Sequence, residues 1–378
     1  MKHAVIVGYA RTAFTPAHKG ALALTRPDEM AAEVVKALLK KTKVKGSDIE
    51  DLIVGCAFPE GEQGFNIARI VGFLAGLPNS VGGMTVNRFC GSSMQGVHIA
   101  AGAIATGAGE AFICAGVESM SRIPIGGFNP MPHPALFDKY PQAYMGMGET
   151  AENVAAKYKI PRAAQDAFAV ESQHKATEAQ AKGLLREEIV PITTQYGVVD
   201  ADGCLRPETT AASLGDLKPA FDKDGSVTAG TSSPLTDGAA AVLVVSEEFA
   251  KKHKLPILAR VVSFAVSGCE PDLMGMGPVE ATKKALARAG LKLKDMDVIE
   301  LNEAFAAQSL SVIQALKLDV NKVNLDGGAI ALGHPLGATG ARIVGKAASL
   351  LARTKGKYAL ATQCIGGGQG IATILERI

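Results

Sequence analysis

Charge is scarce in this chain of 378 residues: Asp, Glu, Lys and Arg make up 20% of it, against about 25% in an ordinary globular domain. The 39 basic and 37 acidic residues nearly cancel, to a formal net charge of +2, and no Lys/Arg cluster is interleaved with aromatics. Without a basic stripe there is no electrostatic footprint for nucleic acid, which is excluded as a partner. Low charge over a chain this long also points to surface buried between subunits, so a homo-oligomer is expected.

Close cysteine pairs are missing as well. Cys56, Cys90, Cys114, Cys204, Cys269 and Cys364 are far apart in sequence, which leaves neither a C-x-x-C metal site nor a dithiol redox motif and fits a reducing compartment. No metal is expected. The opening Met1-Lys2-His3-Ala4-Val5-Ile6-Val7-Gly8 reads as a first strand and lacks the apolar core of a signal peptide. Leu375-Glu376-Arg377-Ile378 carries no peroxisomal or retention address, so a cytoplasmic location is expected. No G-x-G-x-x-G follows the first strand, which removes a nicotinamide dehydrogenase. The uncharged run from Phe89 to Gly109 has the roughly 20 residues of a membrane span, but Ser92, Ser93, Gln95 and His98 argue against a span there.

Glycine, by contrast, is abundant: 42 residues, where about 7% is usual, imply many tight backbone approaches. The length suits two or three domains at about 100–200 residues each. After the first strand, Pro27-Asp28-Glu29 starts a helix with Ala31, Val34, Val35, Leu38 and Leu39 at helical spacing and acids in its first turn. Leu52-Ile53-Val54, the run 111–116 and the run 239–245 read as buried strands. Strands alternating with helices give an α/β chain with a parallel or mixed sheet covered on both faces.

The texture changes over residues 119–233, where Pro, Gly, Met and His gather in 124–148 and charged helical stretches such as 161–182 follow. This divides the chain into residues 1–118 with 234–255, an inserted loop domain 119–233, and residues 256–378. The last part resembles the first: a helix ending Ala289-Gly290 and a strand at Val298-Ile299 repeat the earlier helix and strand, Asp295 standing 247 positions after Asp48. The repeat brings a second glycine-rich helix start to His334, 244 positions after Cys90, and duplication would set the two helix N-termini face to face.

Cys90, in VNRFCGSSMQ (86–95), falls where an apolar run ends and a Gly/Ala-rich helix buried on all sides, closed by Gly107, begins. In that helix's first turn, free N–H groups and the helix dipole would favour the thiolate, the attacking species. A free cysteine also packs well as a small hydrophobe, so Cys90 alone decides nothing. His334, in GGAIALGHPLGATGAR (327–342), is either a structural histidine or a base left approachable by its small neighbours, ahead of a helix with Val344, Ala348 and Leu351 on one face. Cys364 heads CIGGGQG (364–370), whose glycines offer main-chain N–H donors for an oxyanion. Asn302, in NEAFA (302–306), supplies a polar group for a water or a carbonyl. His98 reads as core and His133 as loop.

At these four blocks the chain resembles the thiolases, the acyl-CoA acetyltransferases, and the similarity runs nearly its whole length. The resemblance implies a duplicated five-layered α-β-α-β-α core with a loop domain that binds coenzyme A. It implies that Cys90 becomes acylated, that His334 takes its proton, and that Cys364 protonates or generates the acetyl-CoA enolate. Asn302 would hold the water that forms one oxyanion hole with His334, and the N–H groups of Cys90 and Gly366 would form the other. The helix dipole and His334 would lower the pKa of Cys90, and kinetics would be ping-pong. Ser233, in TAGTSS (228–233), would contact the pantetheine. Met147, Phe305 and Lys218 complete the candidate substrate and CoA set, Met145 and Met147 being either pocket lining or loop packing, and Lys218 with Arg206 either phosphate contacts or solvated surface.

No permanently bound cofactor is implied; coenzyme A is a co-substrate, with 3-ketoacyl-CoA and acetyl-CoA. EQGFNIAR (62–69) looks like the degradative 3-ketoacyl-CoA class. In YMGMG (144–148), Gly146 stands where four-carbon acetoacetyl-CoA enzymes usually have histidine, which would admit longer acyl chains. A decarboxylating ketoacyl synthase is disfavoured by Cys364. A homodimer or homotetramer, a place in a β-oxidation multienzyme complex, and a thiolase-like lipid-binding protein without catalysis stay open.

Overall fold

The computed structural model describes residues 2–378. The chain opens with β1 (Ala4–Thr12), α1 (Pro27–Thr42), β2 (Asp51–Gly55), α2 (Ile67–Leu74), β3 (Gly82–Val86), α3 (Ser92–Thr106) and β4 (Ala111–Ser119). A long excursion follows that contains α4 (Met147–Tyr158) and α5 (Arg162–Ala181), and the chain re-enters the core as β5 (Thr236–Ser246). The remainder is β6 (Ala259–Gly268), α6 (Gly277–Ala289), β7 (Val298–Leu301), α7 (Ala306–Leu316), α8 (Leu336–Thr354), β8 (Tyr358–Ile365) and β9 (Gln369–Glu376). Local chemistry explains the ends: α1 starts on Pro27 with Asp28 and Glu29 in its first turn, and α3 stops at Gly107, whose φ of 78° is the left-handed cap that glycine adopts without strain.

The strands lie in the order β7-β8-β9-β6-β1-β5-β4-β2-β3. On each side of the centre one pattern recurs: β2 pairs parallel with β4 and β4 antiparallel with β5, as β7 does with β8 and β8 with β9. Only two residue pairs, Val5 with Arg260 and Ile6 with Ala259, join β1 to β6. The repeat read from the sequence is therefore a repeat of topology.

Period-two alternation sorts the strands' side chains into layers. Val5, Leu52, Ile113 and Leu243 pack with Val34, Leu38 and Val71 of α1 and α2. Their alternates Ile6, Ile53, Cys114 and Val244 meet Met94 and Val97 of α3 and Ile343 and Ala347 of α8, together with Ala361 and Ile371 of the second half-sheet. The far face of that half-sheet, with Leu360 and Ile374, lies against Ala281 and Val312 of α6 and α7. This is the five-layered α-β-α-β-α core, with α3 and α8 in the middle.

The two central helices meet at their starts, as duplication predicts. A Cβ on Gly340 would lie 2.3 Å from the Met94 nitrogen, and one on Gly116 of β4 2.1 Å from the Gly337 oxygen at the start of α8, so the helix–helix and the strand–helix contact both require glycine. The Ser93 hydroxyl accepts the Ala341 N–H at 2.8 Å. Two expectations about these helices change. α3 is not buried on every side, since Gln95, Ile99, Gly102 and Ala103 form a half-exposed stripe. α8 buries more than one face, and even Arg342 and Lys346 are inside. Lys346 is held by Glu188 at 3.1 Å and Asp326 at 2.6 Å, and Arg342 faces Glu300 at 3.4 Å, which is how a central layer retains charge.

The excursion is tied to the core. Wholly buried Arg11 on β1 bonds Glu188 and grips Asp202 with both terminal nitrogens. Among the described residues no helix is long and apolar enough to cross a membrane.

Candidate active site

Cys90 sits on a tight turn between β3 and α3. Phe89 has a φ of 42°, left-handed for a residue with a side chain, and the Gly91 N–H closes onto the Arg88 carbonyl at 2.9 Å. The Ser92 hydroxyl accepts the Arg88 N–H at 2.9 Å. The cysteine stands two residues before the first helical residue, Ser92, with Gly91 as the cap, and so precedes the helical turn in which the sequence reading placed it. Its side chain is 2% exposed. Burial pushes the thiol up to about 11; the Gly366 N–H and its own N–H oppose that shift, while the nearby Glu118 charge adds to it. The expected resting thiolate is therefore replaced by a thiol, because loss of hydration outweighs the two N–H groups, its own and that of Gly366.

His334 follows Gly333, whose φ of 101° suits glycine, and its N–H is held by the Thr236 hydroxyl at 3.0 Å. The protonation of the ring follows from one hydroxyl. Thr339 Oγ1 lies 2.6 Å from His334 Nδ1 and, assigned as donor to the Pro335 carbonyl at 3.0 Å, accepts from that nitrogen. Nδ1 carries the hydrogen and Nε2 is the free base. The Asn302 Nδ2 lies 3.4 Å from that Nε2, the side on which a donor amide belongs. Burial, with Arg342 adding to it, lowers the ring's pKa to about 3, so the imidazole rests neutral.

Asn302 is wholly buried just after β7, and its Oδ1 has no partner among the described residues. Asn302 is not among the residues that line the cavity shared by Cys90, His334 and Cys364. Cys364, at the end of β8, is also wholly buried, and burial with the neighbouring Cys90 keeps its thiol well above the ordinary range. Beyond it the chain reverses through Gly366, Gly367 and Gly368, the last two at φ 75° and 77°, and this turn aims the Gly366 N–H at the Cys90 sulfur.

Cys90, His334 and Cys364 line one cavity of about 420 Å3, with Ser233, Met147 and Phe305 also on its wall. Gly146 and the apolar Phe221, Met274 and Leu235 complete much of the surface. Ser233 is placed by its N–H to the Ala304 carbonyl at 3.0 Å, a bond between the excursion and the second half. Lys218 is not brought in: it is exposed and lines neither this cavity nor the adjoining one of about 450 Å3, whereas Arg206 lines the latter. The two cavities share Ser232 and Pro234. His98 is a core residue, bonded to Thr373 at 2.7 Å and stacked on Phe264, and His133 sits exposed ahead of a short helix.

Residues not singled out from sequence hold this centre. The Glu118 carboxylate accepts the N–H groups of Ala57 at 2.8 Å, Phe58 at 3.2 Å and Gly337 at 2.9 Å, and the Gln63 amide at 2.8 Å. It clamps the start of α8, and with it His334, to the loop after β2. The signal was present: Glu118 is the one charge in an otherwise uncharged buried strand.

Two halves of one α/β design meeting at a shared cysteine–histidine–cysteine centre define a class of duplicated α/β proteins. The chain belongs to the thiolase family: the thiolase N-terminal domain matches residues 4–248 and the thiolase C-terminal domain residues 255–377. It is 48% identical to a 3-ketoacyl-CoA thiolase of Bacillus subtilis (strain 168) and 49% identical to one of Shewanella frigidimarina (strain NCIMB 400), each over 100% of both chains. Among solved structures, human mitochondrial 3-ketoacyl-CoA thiolase in complex with CoA superposes with a TM-score of 0.92 at 40% identity, covering 100% of this chain and 98% of that one.

Proposed function

We propose that the protein is an acetyl-CoA C-acyltransferase that cleaves 3-ketoacyl-CoA with CoA to acetyl-CoA and a shortened acyl-CoA, and runs in reverse as a Claisen condensation. The observation that carries this reading is the convergence of Cys90, His334 and Cys364 on one cavity wall. Cys90 Sγ attacks the keto carbon while His334 Nε2 takes its proton, and the N–H groups of Cys90 and Gly366 receive the oxyanion. The C2–C3 bond then breaks, its electron pair leaving as the acetyl-CoA enolate, which the Cys364 thiol protonates. A water on Asn302, with His334, stabilises that enolate. CoA displaces the acyl group from Cys90, so the kinetics are ping-pong. Because thiol and imidazole both rest neutral, proton transfer accompanies attack.

Coenzyme A enters as co-substrate through the 119–233 unit, its pantetheine passing Ser233, Met147 and Phe305. Its charged end takes the adjoining cavity at Arg206 in preference to Lys218. The human relative is in complex with CoA, which supports coenzyme A as co-substrate. Gly146 leaves the cavity wall open and supports the degradative reading over a four-carbon acetoacetyl-CoA enzyme. Its φ of −62° suits any residue, and a Cβ there would meet nothing nearer than Glu149 at 3.6 Å, so added bulk is sterically admissible. Gly146→Leu should therefore shift the rate profile over roughly four- to sixteen-carbon substrates towards short chains.

The homo-oligomer is supported by the β3 edge of the sheet and by Phe65 beside it, 93% exposed. Six free cysteines support a reducing, cytoplasmic setting. The decisive experiment is incubation with 3-ketoacyl-CoA, digestion and mass spectrometry: acyl label on the Cys90 peptide is expected. Label on Cys364 or nowhere refutes the roles, and parent activity confined to the four-carbon substrate refutes the degradative assignment.

A further inference from the structure

Gln363 precedes Cys364 on β8 and is wholly buried. Side chains alternate along a strand, so the two leave β8 on opposite faces. Cys364 lines the reaction cavity, while the Gln363 Nε2 donates to the main-chain carbonyl of Cys90.

That carbonyl needs a donor. The Gly91 N–H goes to Arg88, the Ser92 N–H to Phe89 and the Gln95 N–H to Gly91, and no main-chain donor among the described residues reaches the Cys90 oxygen. A buried carbonyl left without a partner disfavours whatever conformation buries it. The turn is already strained by the left-handed Phe89. The amide that satisfies it comes from the same strand end that supplies Cys364 and, three residues on, the Gly366 N–H facing the Cys90 sulfur. Gln363 lines no cavity that Cys90 lines, so it acts through the nucleophile's backbone.

We propose that Gln363 is a positioning residue: by fixing the Cys90 carbonyl, it sets the Cys90 thiol against the Gly366 N–H and within reach of Cys364. The proposal deepens the thiolytic reading and rests on it. A small misplacement of a nucleophile is costly to rate, so loss of the amide donor should lower kcat far more than it changes KM.

The test uses Gln363→Met, which keeps length without the donor, and Gln363→Glu, whose carboxylate repels the carbonyl oxygen but whose protonated form donates to it. For Gln363→Met we expect kcat about 10- to 100-fold below the parent with KM within about threefold. The ratio of Gln363→Glu to Gln363→Met activity should rise at least about fivefold as pH falls from about 8.5 to about 6, because a buried carboxyl protonates in that range. A packing role predicts no such rise. A Met variant with kcat within about twofold of the parent, or a flat ratio, overturns the proposal. Should Gln363→Met not fold, the Glu variant's activity relative to the parent decides by the same pH trend. A parent that fails to cleave 3-ketoacyl-CoA sinks the functional reading instead, whereas an active parent with unaffected variants sinks only the role of Gln363.

Discussion

Thr339→Val removes one oxygen and keeps the shape of a buried side chain beside His334. In the parent, Thr339 Oγ1 accepts from His334 Nδ1 at 2.6 Å and donates to the Pro335 carbonyl. That carbonyl also receives the N–H groups of Ala338 at 2.9 Å and Thr339 at 3.0 Å, so it stays satisfied in the variant. The cost falls on the ring. With Nδ1 protonated, a buried N–H faces a methyl group without an acceptor, a penalty of about 1–3 kcal/mol. The ring relieves it by moving the hydrogen to Nε2, and in that tautomer it cannot accept the Cys90 proton. The competent tautomer is thus disfavoured by the same about 1–3 kcal/mol, equivalent to roughly 5- to 150-fold. Rapid-quench measurement of Cys90 acylation in a single turnover reads this directly, with substrate affinity little changed. Thr339→Ser, which restores the hydroxyl, should recover most of the rate. Acylation at the parent rate in Thr339→Val, or a loss accounted for by unfolding in a parallel denaturant melt, would refute the tautomer argument.

Three further outcomes follow from the geometry. A thiol pushed up to about 11 stays protonated near neutrality, so iodoacetamide alkylation of Cys90 in the free enzyme should accelerate about tenfold per pH unit from about 7 to 9; a plateau below about pH 8 would mean a resting thiolate. Gly116→Ala drives a Cβ to within 2.1 Å of the Gly337 oxygen, backbone that cannot step aside, and should cost at least about 1–3 kcal/mol in urea unfolding; an unchanged midpoint contradicts the close contact of β4 with the start of α8. Glu118→Gln replaces one acceptor oxygen by a donor facing main-chain N–H groups and should lose about 1–3 kcal/mol of stability, with acylation slowed through α8; full stability would remove Glu118 as the clamp.

Much of the fold could be read from residues near one another in the chain. The α1 start at Pro27, the helix stop at Gly107 and the buried runs of β2 and β4 all depend on spacings of a few residues, and each appears where its pattern predicts. The repeat was legible because two halves of one topology keep one order of local patterns. The family blocks named Cys90, His334 and Cys364, which share a cavity wall, whereas Lys218, read only from its charge as a phosphate contact or solvated surface, is exposed and lines neither cavity.

Sequence alone determined which segments fold into strands and helices, that they come in two copies, and which side chains are chemically able to attack, accept a proton or donate one. Only tertiary structure decided what state those groups are in. The Cys90 thiol and the His334 ring are neutral because burial strips their hydration, and burial is a property of five stacked layers. The Gln363 bond to Cys90 spans 273 positions and the Glu118 bond to Gly337 spans 219, contacts that exist only once the two halves pack and that no local spacing encodes.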